Sequence, residues 1–172
     1  RYTGATEYPD SEFAGKMQLV AKMIGGKLGT KVYYVSIGGF DTHANQQGTH
    51  ENLLTDIAEG LDAFMRDLKE QGNDDRVLVM TFSEFGRRLA ENASGGTDHG
   101  TAAPMFLIGK NIKPGLHGVQ PSISPDSLDP IGDMQYQVDF RSVYATVLEG
   151  WLNAPSDKIL GRKFDTLPFL TA

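Results

Sequence analysis

A chain of 172 residues is one domain's worth of polypeptide, and 40% apolar with 22% charged residues is ordinary for a protein that buries a core. The formal net charge of −6, with Lys and Arg scattered rather than clustered, argues against nucleic acid or an anionic membrane as partner. No apolar run approaches the roughly 20 residues of a bilayer span, and the absence of Cys excludes disulfides, thiolate ligands and a cysteine nucleophile.

Residues 1–9 read as a polar lead-in. Asp10-Ser11 is a cap for a helix predicted to run to about Leu28, with Phe13, Met17, Val20, Ala21 and Ile24 along one side. Lys31 to Ile37 (KVYYVSI) is β-branched, aromatic and nearly continuously apolar, which is the profile of a strand covered on both faces. Beyond the next loop, Thr49 caps a helix predicted to reach about Gln71. Its Leu53, Leu54, Ile57, Leu61, Phe64, Met65 and Leu68 recur at helical spacing.

Gly72 to Asp75 turns the chain, and Arg76 to Phe82 (RVLVMTF) reads as a second buried strand. Strand, helix and strand joined this way predict a crossover unit with parallel strands. Residues 86–102 read as a long polar loop and 103–108 as a third strand. Lys110 to Gln137, rich in Pro, Gly, Ser and Asp, reads as an irregular excursion. Asp139 caps a last helix to about Leu152, with Phe140, Val143, Tyr144, Val147, Leu148 and Trp151 facing inward, and the final twenty residues read as a tail packed over the domain.

The sum is an α/β domain with a mainly parallel sheet and flanking helices. Two all-apolar strands need cover on both sides, and three helices barely provide it. The expectation is therefore a single domain that forms the C-terminal portion of a larger α/β fold, with further strands upstream.

Two glycine-flanked loops carry the chemistry. Phe40-Asp41-Thr42-His43 follows the first predicted strand, and Gly96-Thr97-Asp98-His99-Gly100 precedes the third. Glu84 follows the second. Ligands of an open parallel sheet bind outside the carboxyl ends of its strands, so Asp41, His43 and Glu84 are expected at one edge. Asp98 and His99 reach that edge only if the third strand runs antiparallel to the other two.

Up to three carboxylates sharing a pocket repel one another unless a cation neutralises them. Their oxygen donors, with two imidazoles, suit a divalent metal such as Zn, Mg, Mn or Ca. Such a metal polarises a phosphoryl- or sulfuryl-type oxygen, and Arg87 is placed to grip an anionic substrate. The same residues have plainer uses. An Asp-x-His triplet ties loops by hydrogen bonds, Glu84 serves as a helix cap, and Asp98-His99 as a solvated turn. His50 reads as a surface or supporting residue, His117 as a loop residue, and Asn45, Arg88 and Asn92 as polar liners. No G-x-S-x-G or P-loop motif is present.

The runs GGFDTH, VLVMTFSEFGRR, GTDHGTAAPMFLIG and DFRSVYATVLEGWL resemble the C-terminal half of a large bacterial family, domain of unknown function fifteen-oh-one, often labelled sulfatase-like. The resemblance spans about residues 30–155. That family in turn resembles the alkaline phosphatase superfamily of sulfatases and cofactor-independent phosphoglycerate mutases.

The resemblance implies a metal-dependent hydrolase or transferase of phosphate or sulfate esters, a small anionic ester as substrate, and export to the periplasm or cell surface. Asp41 and His43 resemble a metal-binding Asp and His, here more closely spaced. Glu84-Phe85 stands where an Asp-His or Asp-Asn metal pair is usual, and His99 resembles a later metal-binding His. The superfamily's Ser, Thr or modified Cys nucleophile lies in the N-terminal half, and nothing here matches it. The replaced pair keeps an alternative open: a non-catalytic binding or assembly protein that retains the fold.

Overall fold

A computed structural model describes Tyr2 and residues 4–171. The chain forms two compact units, Arg1–Val77 with Glu91–Asp98, and Leu78–Ala90 with His99–Ala172.

The first unit is built on two helices, α1 (Glu12–Gly25) and α2 (Gln46–Glu70). Ser11 caps α1, its Oγ accepting from the Ala14 amide at 3.2 Å. Phe13, Ala14, Met17, Val20 and Ala21 then fall on one buried stripe and meet Leu61, Ala63, Phe64 and Leu68 of α2. Gly60 stands mid-helix, where glycine weakens the helix. Its reason is close approach, because a Cβ there would lie 2.8 Å from Cδ1 of Phe13.

One residue on this face is not apolar. Asp67 is fully buried and accepts hydrogen bonds from the Tyr2 and Tyr8 hydroxyls at 2.7 and 2.8 Å and from the Gln71 side-chain amide at 2.8 Å. Three donors compensate the desolvation of the carboxylate, and they fasten the N-terminal lead-in to α2.

The second unit centres on Val143 and Val147 of α3 (Phe140–Gly150) and on Phe169. Leu78, Met80, Met105, Leu107, Ile112, Val138 and Trp151 pack around them. Asp139 caps α3, its Oδ1 accepting from the Arg141 amide at 2.9 Å. Two short strands, β1 (Val79–Met80) and β4 (Leu107–Ile108), pair antiparallel, Val79 opposite Ile108 and Met80 opposite Leu107. A second pair, β2 (Gly86–Glu91) and β3 (Thr97–Gly100), makes a hairpin whose tip is counted with the first unit. A short helix, α4 (Ser156–Leu160), follows α3, and the tail beyond it is anchored by the buried rings of Phe164 and Phe169. Between Lys110 and Gln137, a 3-10 turn over Pro125–Ser127 is the sole helical element among the described residues.

The mainly parallel α/β sheet expected from the sequence is not what forms. Among the described residues there are four α-helices and two antiparallel two-stranded sheets. No strand is assigned over residues 31–37, where Val32 and Tyr34 are 68% and 74% exposed. Of the strands expected over 76–82 and 103–108, only Val79–Met80 and Leu107–Ile108 pair.

The physical reason is non-local. A strand apolar on both faces is stable only with ladder partners at both edges and layers above and below, and among the described residues no strand is laid beside 31–37. Boundaries shift as well. The second helix begins at Gln46 rather than after Thr49, its N-cap Asn45 lying in the left-handed region at φ 47° with no side-chain cap. Phe140, expected to face inward, is 53% exposed.

Candidate functional site

The hairpin tip organises the loop between residues 40 and 45. Asn92 opens the turn, its Oδ1 accepting from the amides of Ser94 at 2.9 Å and Gly96 at 3.1 Å. Its Nδ2 then donates to the His43 carbonyl at 2.9 Å. The Ser94 and Gly95 carbonyls accept from the amides of Asn45 and Gln46 at 3.1 and 2.9 Å, which satisfies donors at the start of α2 that no side chain caps. Gly96 is buried, and any Cβ there would collide with the His43 carbonyl, so this close approach requires glycine.

This scaffold brings three predicted residues together. His43 Nε2 lies 3.0 Å from Asp41 Oδ1, and His43 Nδ1 lies 3.3 Å from Asp98 Oδ1. The Asn92 side-chain amide also reaches Asp98 Oδ1, at 3.4 Å. One imidazole is therefore held between two carboxylates. All three side chains are more than half exposed. Exposed ion pairs add little stability, so the arrangement is better explained as a set of solvent-accessible donors than as a staple of the fold.

Behind the loop, Thr42 Oγ1 lies 2.8 Å from Nε2 of His50, one turn into α2. The Gln46 side-chain amide and the Phe40 carbonyl lie 3.3 and 3.4 Å from the same nitrogen, and the Phe40 ring meets the imidazole edge-on at 5.4 Å. Gln46 is itself oriented by Thr97, whose hydroxyl donates to Gln46 Oε1 at 2.9 Å.

Glu84, Arg87 and His99 belong to the second unit. Glu84 is exposed in a turn closed by Ser83, whose hydroxyl donates to the Phe85 carbonyl at 2.8 Å. It caps no helix, since β2 follows. His99 stacks on Phe85 with ring centroids 3.8 Å apart and planes 6° from parallel, and the Arg87 guanidinium lies 5.1 Å from the centre of the same ring. Arg88 approaches the buried Asp133 at 3.2 Å, an ionic contact without hydrogen-bond alignment. It ties the base of the hairpin to the excursion.

The chain matches the family described as "Protein of unknown function (DUF1501)" over residues 2–154. The chain belongs to this family. No curated protein and no solved structure matches it significantly. Among the described residues of this family member, no helix is long and apolar enough to cross a membrane.

The donor set of the first unit fits the divalent metal that the resemblance implies. A carboxylate on one imidazole nitrogen and a cation on the other is a common arrangement at metal centres. Asp98 on Nδ1 fixes the ring so that Nε2 and Asp41 Oδ1 face one another, close enough for one cation to bond both. Asp98 faces the other ring nitrogen, Nδ1, a distinction that residue type alone does not draw. Sequence reasoning also missed Gln46, Thr97 and the partnership of His50 with Thr42. The Asn-Ala-Ser-Gly-Gly run was the available signal for Asn92, because Asn before glycines marks a side-chain-stabilised turn.

Proposed function

We propose that this chain provides a divalent-metal centre for the hydrolysis or transfer of phosphate or sulfate esters. The observation that carries this reading is the exposed His43 imidazole held between Asp41 and Asp98 at 3.0 and 3.3 Å. Asp41 and His43 are the ligands, Asp98 orients His43, and Asn92 holds the loop that presents them. A bound cation would neutralise the carboxylates and polarise an ester oxygen. Alanine variants of Glu84, His99 and Arg87, in the second unit, test whether any of them contributes to metal or ester binding.

Calorimetric titration with Zn, Mn, Mg and Ca, beside assays with p-nitrophenyl phosphate and p-nitrophenyl sulfate, tests the reading. At least one metal is expected to bind and to support turnover, and Asp41→Ala and His43→Ala to abolish both. Unchanged metal binding in these two variants would sink the site.

A second reading, a binding or assembly role, is favoured by the apolar side chains of Leu28, Val32 and Tyr34, which are 63%, 68% and 74% exposed. Metal binding without turnover of either ester would favour it.

A further inference from the structure

We propose that Thr42 is the nucleophile of this site and that His50 is its general base. The inference deepens the ester-transfer reading and rests on it. No sequence motif announces the pair, because the two residues lie on different elements and meet only through the turn of chain between them.

Three observations carry it. The contact from Thr42 Oγ1 to His50 Nε2, at 2.8 Å, is the shortest that this nitrogen makes. The protonation state of Nε2 follows from its neighbours. Thr97 donates to Gln46 Oε1 at 2.9 Å, which turns the Gln46 NH₂ toward His50, 3.3 Å from Nε2. A nitrogen facing an N–H donor and a hydroxyl is the unprotonated acceptor, so the ring proton sits on Nδ1. The Phe40 carbonyl, which would favour the other tautomer, is the farthest of the three at 3.4 Å. Finally, Thr42 stands between Asp41 and His43 in the chain, so its backbone is continuous with that of the groups proposed to hold the cation. A hydroxyl within hydrogen-bond reach of an imidazole is the first element of an activated nucleophile.

In the first half-reaction Thr42 Oγ forms a bond to the phosphorus or sulfur of the ester, and its proton passes to His50 Nε2. The bond from that atom to the alcohol oxygen breaks, the oxygen keeps the electron pair, and His50 returns the proton to it. Water then attacks the same centre, giving a proton to His50. The bond to Oγ breaks, Oγ takes back a proton, and inorganic phosphate or sulfate leaves.

The test compares the full chain, loaded with the metal it binds, with Thr42→Val, Thr42→Ser and His50→Gln on both p-nitrophenyl esters. Turnover is expected to fall at least about a thousandfold in Thr42→Val and about a hundredfold or more in His50→Gln, with Thr42→Ser retaining most of it. Metal affinity of Thr42→Val should equal wild type, which also reports that the variant is folded. Mass spectrometry after acid quench should find a phosphoryl or sulfuryl group on the peptide containing Thr42. Without metal or substrate, imidazole nitrogen NMR should find His50 protonated on Nδ1. Turnover in Thr42→Val at the wild-type rate, or a His50 proton on Nε2, would overturn the inference while leaving the metal centre standing. Metal binding with no turnover of either ester by wild type would overturn the ester reading and this inference together.

Discussion

At the scale of single residues, the distinction that matters is between a group that bonds a cation and a group that aims one. Asp41 and Asp98 are the same amino acid, both exposed, and each within about 3.3 Å of one His43 nitrogen. Their expected responses differ. Asp98→Asn keeps an oxygen that accepts from Nδ1 but removes the charge that strengthens the ring as a donor. Metal affinity should fall by about 10- to 100-fold, as it does when partners behind a metal-binding His are altered. Asp41→Asn removes a proposed ligand, and calorimetry should find a much larger loss. Equal losses in the two variants would mean that both carboxylates bond the cation. Asp41, His43 and Asp98, which the fold brings together, could be picked out beforehand because acids and imidazoles in glycine-flanked loops stand out by residue type and local context. The role proposed for Asp98 could not, because it depends on which ring nitrogen it faces.

At the scale of elements, the buried carboxylate of Asp67 makes α2 sensitive to alkali through its partners. Burial, then the hydrogen bond to Asp67 and its negative charge, push the Tyr2 hydroxyl from 10.0 up to about 12, and the same causes push Tyr8 up further. The folded state thus prefers the neutral phenols. Their contribution is fully present below about pH 10, where unfolded tyrosine is also protonated, and is lost as pH rises toward about 12. The denaturant midpoint should therefore fall steeply between those values, and Tyr8→Phe should flatten the fall. An alkaline limb identical in that variant would separate Tyr8 from the stability of α2. Helices were the readable elements, since Ser11, Asp139 and the 3.6-residue stripes of α1 and α2 are local signals. Asp67 escaped notice because Tyr2 and Tyr8 lie 65 and 59 residues away. The hairpin of β2 and β3 escaped for a different reason: its exposed, polar faces give no apolar alternation to read.

At the scale of the whole molecule, local pattern and long-range supply pull apart. KVYYVSI has the composition of a central strand, with high β-propensity, one charge and no proline, yet Val32 and Tyr34 remain largely exposed. The irregular excursion of the second unit adds Leu116, Val119, Ile123 and Ile131, all at least 66% exposed. Apolar surface in this quantity seeks cover, and an apolar segment of high β-propensity is the kind that pairs with another chain. Purified protein should therefore bind an apolar-surface dye and show a size that grows with concentration in gel filtration with light scattering. Val32→Thr with Tyr34→Thr removes much of the apolar area while keeping β-branched residues, so the double variant should bind less dye and run smaller. Neither residue is among the buried side chains of the α1–α2 core, so the unfolding midpoint should stay at the wild-type value. A wild-type chain that is monomeric at every concentration and binds no dye would sink the argument. Equal association in both proteins would instead move the responsible surface to the excursion, where Val119→Thr and Ile123→Thr should then relieve it.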